Sequence, residues 1–350
     1  MTARSRPAAR RRAADSVAPS LAVLAVLVVA LLGTACSDDG DAAPSPSGAA
    51  TTSRAGRSAT TPTSTTEPPR RASAGCGTEP PIGPTDDPAA EAVATIRSDD
   101  RDRLYRIALP HDYDPERPVP VVFNLHGSGS NAAEQSVYTQ VPTRGAARGY
   151  LVVTPDAGDG DWELGPDGED DRFLVALLDH VAASWCVDLD RVHATGISLG
   201  SWKATITACT HPDRFASLAL VAEEVAPPDC AKPVVAFHGT ADFVVPFGAG
   251  ADPGIEVIGP NAGLPGVEVN MPRWAANGGC STEHDVERIG SDVERWTYRD
   301  CPEGMDVVLY VVRGGGHTWP GSPIDRPGTT RTIDATEIAL DWFDAHPLRR

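Results

Sequence analysis

A serine with a glycine two residues away on either side, Gly196-Ile197-Ser198-Leu199-Gly200, follows the apolar run Arg191-Val192-His193-Ala194-Thr195. A stretch with helical patterning, Leu199 to about Thr210, comes directly after it. A chain that turns from strand to helix in so few residues forces the central residue to positive φ. Side chains two before and two after then collide unless they are small. Gly196 and Gly200 meet that demand. The turn presents the Ser198 hydroxyl at the end of a strand, where the helix aims its unpaired N–H groups and positive dipole end at the same point.

The rest of the sequence supplies the scaffold such a turn needs. Leu104–Leu109 and Val119–Leu125 read as strands joined by the turn-rich Pro110–Pro115. Tyr150–Thr154, Ser217–Val221, Val234–Phe237 and Val307–Val312 read as further, largely buried strands. Phe173, Leu174, Leu177, Leu178, Val181 and Trp185 recur at helical spacing, and Asp334-Ala335-Thr336-Glu337 opens a final helix with a capping box. Strands alternating with helices predict an α/β fold with a mostly parallel central sheet flanked by helices.

Not all of the 350 residues belong to that fold. Arg4, Arg6, Arg10, Arg11 and Arg12 precede an apolar run, Leu21 to Leu32, and then Gly33-Thr34-Ala35-Cys36. A basic head, a short apolar centre and small residues describe a signal peptide over residues 1–36. The run is short for a membrane span, which needs about 17–25 residues. Cys36 resembles the lipidated cysteine of a bacterial lipobox, with simple cleavage near Ala35 as the alternative. Residues 37–75, dominated by Ser, Thr, Pro, Ala and Gly, read as a disordered linker. Residues 76–350 then form one domain.

The net charge is −18, and setting aside the five Arg and one Asp of the first 36 residues makes it −22. Lys203 and Lys232 are the only lysines. Such a surface repels phosphate backbones and anionic membranes, so neither nucleic acid nor a membrane surface is an expected ligand, apart from the lipid anchor.

Beside Cys36 there are six cysteines, an even count that reads as disulfides in an exported domain. Cys280 and Cys301 flank an apparent hairpin, Val286–Arg288 and Val293–Tyr298, and are the firmest pair. Cys76, Cys186, Cys209 and Cys230 allow three pairings. Cys186–Cys209 is favoured because a strand start and the far end of the following helix meet at the bottom of the sheet, which leaves Cys76 with Cys230. No metal-ligand spacing such as CxxC or HxxxH is present, and no metal is expected.

A serine hydroxyl is a weak nucleophile without a base in hydrogen-bond reach, and that base needs an orienting carboxylate. Asp242, in His238-Gly239-Thr240-Ala241-Asp242, emerges past the end of a buried strand, where an acid is expected. His317, in Gly314-Gly315-Gly316-His317-Thr318-Trp319-Pro320-Gly321, sits on a glycine-hinged loop after another. His111, His211, His284 and His346 lie in polar loops or termini, and His180 and His193 lie within a helix and a strand. His238 precedes the acid turn and is placed to pin that loop. Two N–H groups must hold an oxyanion: Leu199 supplies one, and Ser128, with Gly127 as competitor, supplies the other from Asn124–Ser130. That glycine-rich loop lacks the lysine of a phosphate-binding motif, so no nucleotide or other cofactor is expected.

With these pieces the chain resembles the polyhydroxybutyrate depolymerase-like secreted esterases of the α/β-hydrolase superfamily. These include feruloyl and acetylxylan esterases of carbohydrate esterase family 1 and LpqC-type lipoproteins. The matching segments are Leu125-His126-Gly127, Asp190 to Gly200, Phe237 to Asp242, Trp274 to Cys280, Tyr298 to Cys301, Gly314 to Gly321 and Asp334-Ala335-Thr336. The resemblance implies Ser198 as nucleophile, Asp242 as acid and His317 as base, and it supports the Cys280–Cys301 bridge.

Three departures bear on specificity. Leu199-Gly200-Ser201-Trp202 makes a bulkier wall than relatives carry. Val221-Ala222-Glu223-Glu224 sets carboxylates at the expected site rim, where they would disfavour anionic acyl groups. No substrate-binding module is appended. Trp162, Trp202 and Trp319 are further candidate walls for a sugar or aromatic group. The expected activity is extracellular hydrolysis of a carboxylic ester, feruloyl, acetyl or short hydroxyalkanoate, by a monomer that is secreted or lipid-anchored outside the cell. Its substrate would be a plant polysaccharide or hydroxyalkanoate ester. Acyl transfer to a cell-envelope sugar and a non-catalytic surface lipoprotein are the alternatives.

Overall fold

The computed structural model describes residues 70–349 apart from 86, 88, 89, 159 and 249–265. The expected signal peptide, Cys36 and most of the expected linker lie outside the described residues.

Along the chain come β1 (Ala92–Ser98), β2 (Arg101–Ala108), β3 (Val119–Leu125), α1 (Ala132–Thr139), α2 (Val141–Ala147) and β4 (Leu151–Pro155). Then follow α3 (Glu169–Ser184), β5 (Val187–Ile197), α4 (Leu199–Thr210), β6 (Leu218–Val221) and β7 (Val234–Gly239). The last elements are α5 (Val267–Asn277), β8 (His284–Ile289), β9 (Val293–Tyr298), β10 (Val307–Val312) and α6 (Ala335–Ala345).

Among the described residues the strands make one sheet in the order β1-β2-β4-β3-β5-β6-β7-β10-β9-β8. From β4 to β10 neighbours run parallel, and antiparallel pairs close each edge. Because side chains alternate across a strand, the central strands feed two cores. Val121, Phe123, Val234 and Ala236 pack with Leu174, Leu177 and Ala204 on the α3–α4 face. Val122, Val235, Phe237 and Tyr310 pack with Leu340 and Phe343 under α6. Asp334 caps α6 as expected, its side chain accepting from the amides of Thr336 and Glu337 at 3.0 and 3.2 Å. Arg103, 2% exposed, pairs with Asp170 at 2.6 Å and lies 4.0 Å from the Phe173 ring centre, which ties β2 to the start of α3.

The disulfides are Cys76–Cys186, Cys209–Cys230 and Cys280–Cys301. The last agrees with the sequence reading, while the favoured Cys186–Cys209 and Cys76–Cys230 pairs are corrected. Residues just before Cys76 run along the start of β5. The Ser73 amide donates to the Val187 carbonyl at 3.0 Å, and the Ser73 hydroxyl donates to the Trp185 carbonyl at 2.8 Å. That docking delivers Cys76 to Cys186 and leaves Cys209, near the end of α4, to the loop after β6.

Candidate active site

Ser198 adopts φ 57° and ψ −127° between β5 and α4, the strained positive φ expected at the turn. Its neighbours show why glycine is required there. A Cβ on Gly196 would stand 2.6 Å from the Gly200 carbonyl carbon, and one on Gly200 would stand 2.4 Å from the carbonyl oxygens of Leu125 and His126. Close packing of β5, α4 and the end of β3 therefore builds the turn. It also brings the loop after β3 against the serine.

Asp242 and His317 come from the adjacent parallel strands β7 and β10. The two loops approach so closely that a Cβ on Gly239 would lie 2.3 Å from the Gly315 oxygen. They are also hydrogen-bonded, the Ala241 amide to the Gly315 carbonyl at 2.8 Å and the Gly314 amide to the Thr240 hydroxyl at 2.8 Å. The outcome is a 2.7 Å hydrogen bond from His317 Nδ1 to Asp242 Oδ2. Asp242 Oδ1 accepts from the amides of Val244 and Val245, both at 2.9 Å, so the buried carboxylate is held at each oxygen.

Ser198 and His317 line one cavity of about 760 Å³ together with Gly127, Ser128, Tyr138 and Val244. No hydrogen bond joins the serine hydroxyl to the imidazole among the described residues; resting hydrolases commonly close that contact only around substrate. Leu199 opens α4, so its N–H has no carbonyl one turn back within the helix. Ser128 is fixed in the facing loop, where its hydroxyl and the Gly129 amide donate to Asp161 Oδ1 at 2.5 and 3.0 Å. Gly127 lies against the elbow: a Cβ there would be 3.5 Å from the Ser198 Cβ.

The other anticipated site residues separate. Trp202 and Glu223 line a small space of about 20 Å³ with Ser128, Ser198, Leu199, Val244 and Val245. Trp162 and Trp319 line neither space. Trp162 is buried and donates its indole N–H to the His126 carbonyl at 2.9 Å, and Trp319 donates to the Thr336 hydroxyl at 3.0 Å within the α6-side core. Their polar tips were satisfied inside the protein, as buried tryptophans usually are. Glu224, expected at the rim, is 2% exposed and turns inward to His238 Nδ1 at 2.6 Å.

Glu223 and His238 have shifted acidities. Burial, reinforced by the Glu224 charge, pushes Glu223 up to about 8, so it is uncharged at neutral pH. Burial pulls His238 down, but the Glu224 charge and hydrogen bond, followed by the Asp242 charge, outweigh it and raise His238 to about 9.

Sequence reasoning missed much of the large cavity wall. Ala133, Val137 and Tyr138 of α1 line it, with Ile324 and Arg326 from the loop past His317. The Arg326 guanidinium stands 5.0 Å from the Tyr138 ring centre. Neither segment carries apolar periodicity that would have marked it. Among the described residues one group, Asp167, Asp171 and His211, brings three possible metal-ligand atoms within 4.8 Å. Asp171 is already taken up by the Thr207 hydroxyl at 2.6 Å and His211 at 2.7 Å, with Lys203 Nζ at 3.8 Å. Two of the three are thus already engaged with each other, and none of them lines the cavity.

Comparison with known proteins places this site in context. The esterase family model, described as "Putative esterase", matches residues 97–296. The "Putative esterase NocK" of Nocardia uniformis subsp. tsuyamanensis is 30% identical over 73% of this chain and 84% of its own length. Feruloyl esterase D of Neurospora crassa is 26% identical over 70% of this chain and 82% of its own. A solved acetyl xylan esterase from Aspergillus awamori superposes with a TM-score of 0.53, covering 73% of this chain and 99% of that one at 14% identity, a likeness of fold. The family match spans both Ser198 and Asp242. The chain belongs to this esterase family, with an α/β-hydrolase fold, and is a carboxylic ester hydrolase.

Proposed function

We propose that the chain hydrolyses its ester through an acyl-enzyme on Ser198. Ser198 Oγ attacks the ester carbonyl carbon while its proton passes to His317 Nε2. Asp242 holds Nδ1–H and so fixes the tautomer that leaves Nε2 free to accept. The oxyanion lies against the amides of Leu199 and Ser128, with Gly127 shaping the loop; one such donor supplies about 3–4 kcal/mol. The alcohol departs with the proton from Nε2. Water, deprotonated by the same nitrogen, then attacks the acyl carbon, releases the acid and restores Ser198.

The observation that carries this reading is the 2.7 Å Asp242–His317 bond opening onto the cavity that Ser198 also lines. A cavity of about 760 Å³ with Tyr138, Val137, Ile197 and Ile324 in its wall suits an aromatic or short acyl ester. Feruloyl, acetyl and short hydroxyalkanoate esters are the proposed class, with Trp202 and Glu223 bounding the space beside the nucleophile. The signal-like N-terminus supports action outside the cell, by a secreted protein or one tethered through a lipid on Cys36. No helix among the described residues is long and apolar enough to cross a membrane.

A fluorophosphonate probe should label Ser198 alone and abolish activity; no adduct there would defeat the reading. Methyl ferulate, acetylated xylan, hydroxybutyrate oligomers and p-nitrophenyl esters, assayed with and without a sugar acceptor, identify the ester. Acylated sugar as the main product would make the protein an acyltransferase instead.

A further inference from the structure

His238 has no part in the chemistry just described, yet it stands directly behind it. It occupies the penultimate position of β7, four residues before Asp242, and is 2% exposed. Its Nε2 lies 2.9 Å from the Val245 carbonyl oxygen and 3.7 Å from Asp242 Oδ2. Its Nδ1 lies 2.6 Å from Glu224 Oε2. A carbonyl oxygen can only accept, so Nε2 carries a proton. The partner of Nδ1 is a carboxylate, which favours a proton there too.

The surroundings are built to keep that ring fixed. Glu224 is steadied from α5: Asn270 Nδ2 lies 3.4 Å from its Oε1, and the Trp274 indole N–H donates to its carbonyl at 2.9 Å. The backbone leaving β6 passes through positive φ at Ala222, 55°, immediately before Glu223 and Glu224. Strain of that kind persists only where surrounding contacts over-determine it. The Phe247 ring meets the His238 ring edge-on, with centres 5.6 Å apart. The charged or titratable groups around His238 are thus Glu223 and Glu224 beyond β6 and Asp242 in its own loop, with His317 one bond further.

We propose that His238 is a positioning residue for the triad: an imidazolium anchored by Glu224, it clamps the acid loop at the Val245 carbonyl and sets a positive edge against Asp242 Oδ2. The clamp acts on the loop whose amides hold Asp242 Oδ1, so the carboxylate stays turned toward His317. The inference rests on the triad reading given above.

Four proteins separate the two ideas: wild type, Ser198→Ala, His238→Gln and Glu224→Gln, assayed on p-nitrophenyl acetate from pH 5 to 9.5. Ser198→Ala should be inactive; if it is active, the triad reading itself fails. His238→Gln should lose roughly 10- to 100-fold in kcat with little change in KM, the scale expected for a slightly misplaced catalytic group. Its acid limb in kcat/KM should move to higher pH, because removing a nearby cation makes His317 easier to protonate. Glu224→Gln should move both in the same direction by less. Nitrogen-15 spectra of the wild-type histidines, assigned by loss of the His238 signal in the variant or, if that variant does not fold, by selective labelling, should show both ring nitrogens of His238 protonated at pH 7. A dead Ser198→Ala beside a His238→Gln profile that superimposes on wild type, or a neutral His238 ring at pH 7, would overturn the inference and leave the triad standing.

Discussion

Asp242 assigns its two carboxylate oxygens to different partners: Oδ2 takes the Nδ1–H of His317 at 2.7 Å, and Oδ1 takes the amides of Val244 and Val245 at 2.9 Å each. An Asp242→Asn variant cannot satisfy both ends. The two amides require an acceptor, so the new NH2 must face His317 and donate to Nδ1. The imidazole proton is then driven to Nε2, the atom that should receive the serine proton. The expected loss in kcat is on the order of 10⁴-fold with folding intact. Hydrolysis of p-nitrophenyl acetate, read beside the thermal melt, checks this; activity within tenfold of wild type would contradict it.

The elbow has no such latitude. Gly200 lies where a methyl group would meet two backbone oxygens at 2.4 Å, and neither Leu125 nor His126 can retreat without breaking the end of β3. Gly200→Ala should therefore cost about 3 kcal/mol or more, at the upper end of overpacking penalties. Chemical denaturation would show it as a lower midpoint at unchanged slope. A variant as stable as wild type would mean that the loop after β3 is more compliant than its contacts indicate.

The three disulfides should not contribute equally. Cys76–Cys186 closes a loop of 110 residues, whereas Cys209–Cys230 and Cys280–Cys301 each close 21. Restricting the unfolded chain is worth about 5 kcal/mol for the long loop and about 3 kcal/mol for each short one. Paired Cys→Ala substitutions, compared by denaturant midpoint, should rank accordingly. Equal losses would indicate that native packing around the bridges dominates instead.

The Ser198 turn and the loops that carry Asp242 and His317 were legible as structure because each obeys a local rule: glycines where space is missing, and a polar residue just past a buried strand. Helix α4 begins and ends where its pattern indicates. By contrast α1 is short, α2 contains Pro142 and Gly145, and α5 contains Pro272, so propensity spoke against three helices that packing stabilises. β1 pairs at the sheet edge with alternate residues exposed, and its Ala and Thr content gave little apolar signal. The favoured pairing of Cys76, Cys186, Cys209 and Cys230 failed because the docking of Ser73 along β5 is a tertiary event. Trp319 failed for a related reason: its neighbour His317 lines the large cavity, but the chain turns between them and the indole enters the α6-side core.

Two buried groups make stability depend on pH in the same sense. His238, raised to about 9, contributes stability that is complete below its ordinary value near 6.5 and is lost as pH rises to about 9. Glu223, raised to about 8, stays protonated in the folded state while the unfolded chain ionises, so stability declines from about 4.5 up to 8. Lys232, lowered by burial to about 8, acts in the opposite sense above that pH, and His126 and His193, which burial shifts down, act in the opposite sense as pH rises through about 6.5. The melting temperature should therefore fall between about pH 7 and 8, where of these groups only Glu223 and His238 act, and flatten beyond. Glu223→Gln should remove part of the slope, and a melting temperature that rises across this window would refute the account.

Glu223 also offers a test of specificity at the proposed nucleophile. It shares with Ser198, Leu199 and Ser128 a space of about 20 Å³, room for little more than one water-sized group. Near neutrality its carboxyl is uncharged, so it should donate a hydrogen bond there rather than repel an anionic acyl group. Above about pH 8 it ionises beside the place proposed for the oxyanion. Negative charge at that point opposes the transition state, and 1.4 kcal/mol of opposition is enough for about a tenfold loss in kcat. Wild type should show an alkaline decline centred near pH 8, together with growing discrimination against acyl groups that carry a carboxylate. Glu223→Gln keeps a neutral donor of the same size, so it should retain activity at pH 7 and lose both the decline and the discrimination. If the decline persists unchanged in Glu223→Gln, another group is titrating and Glu223 only fills space.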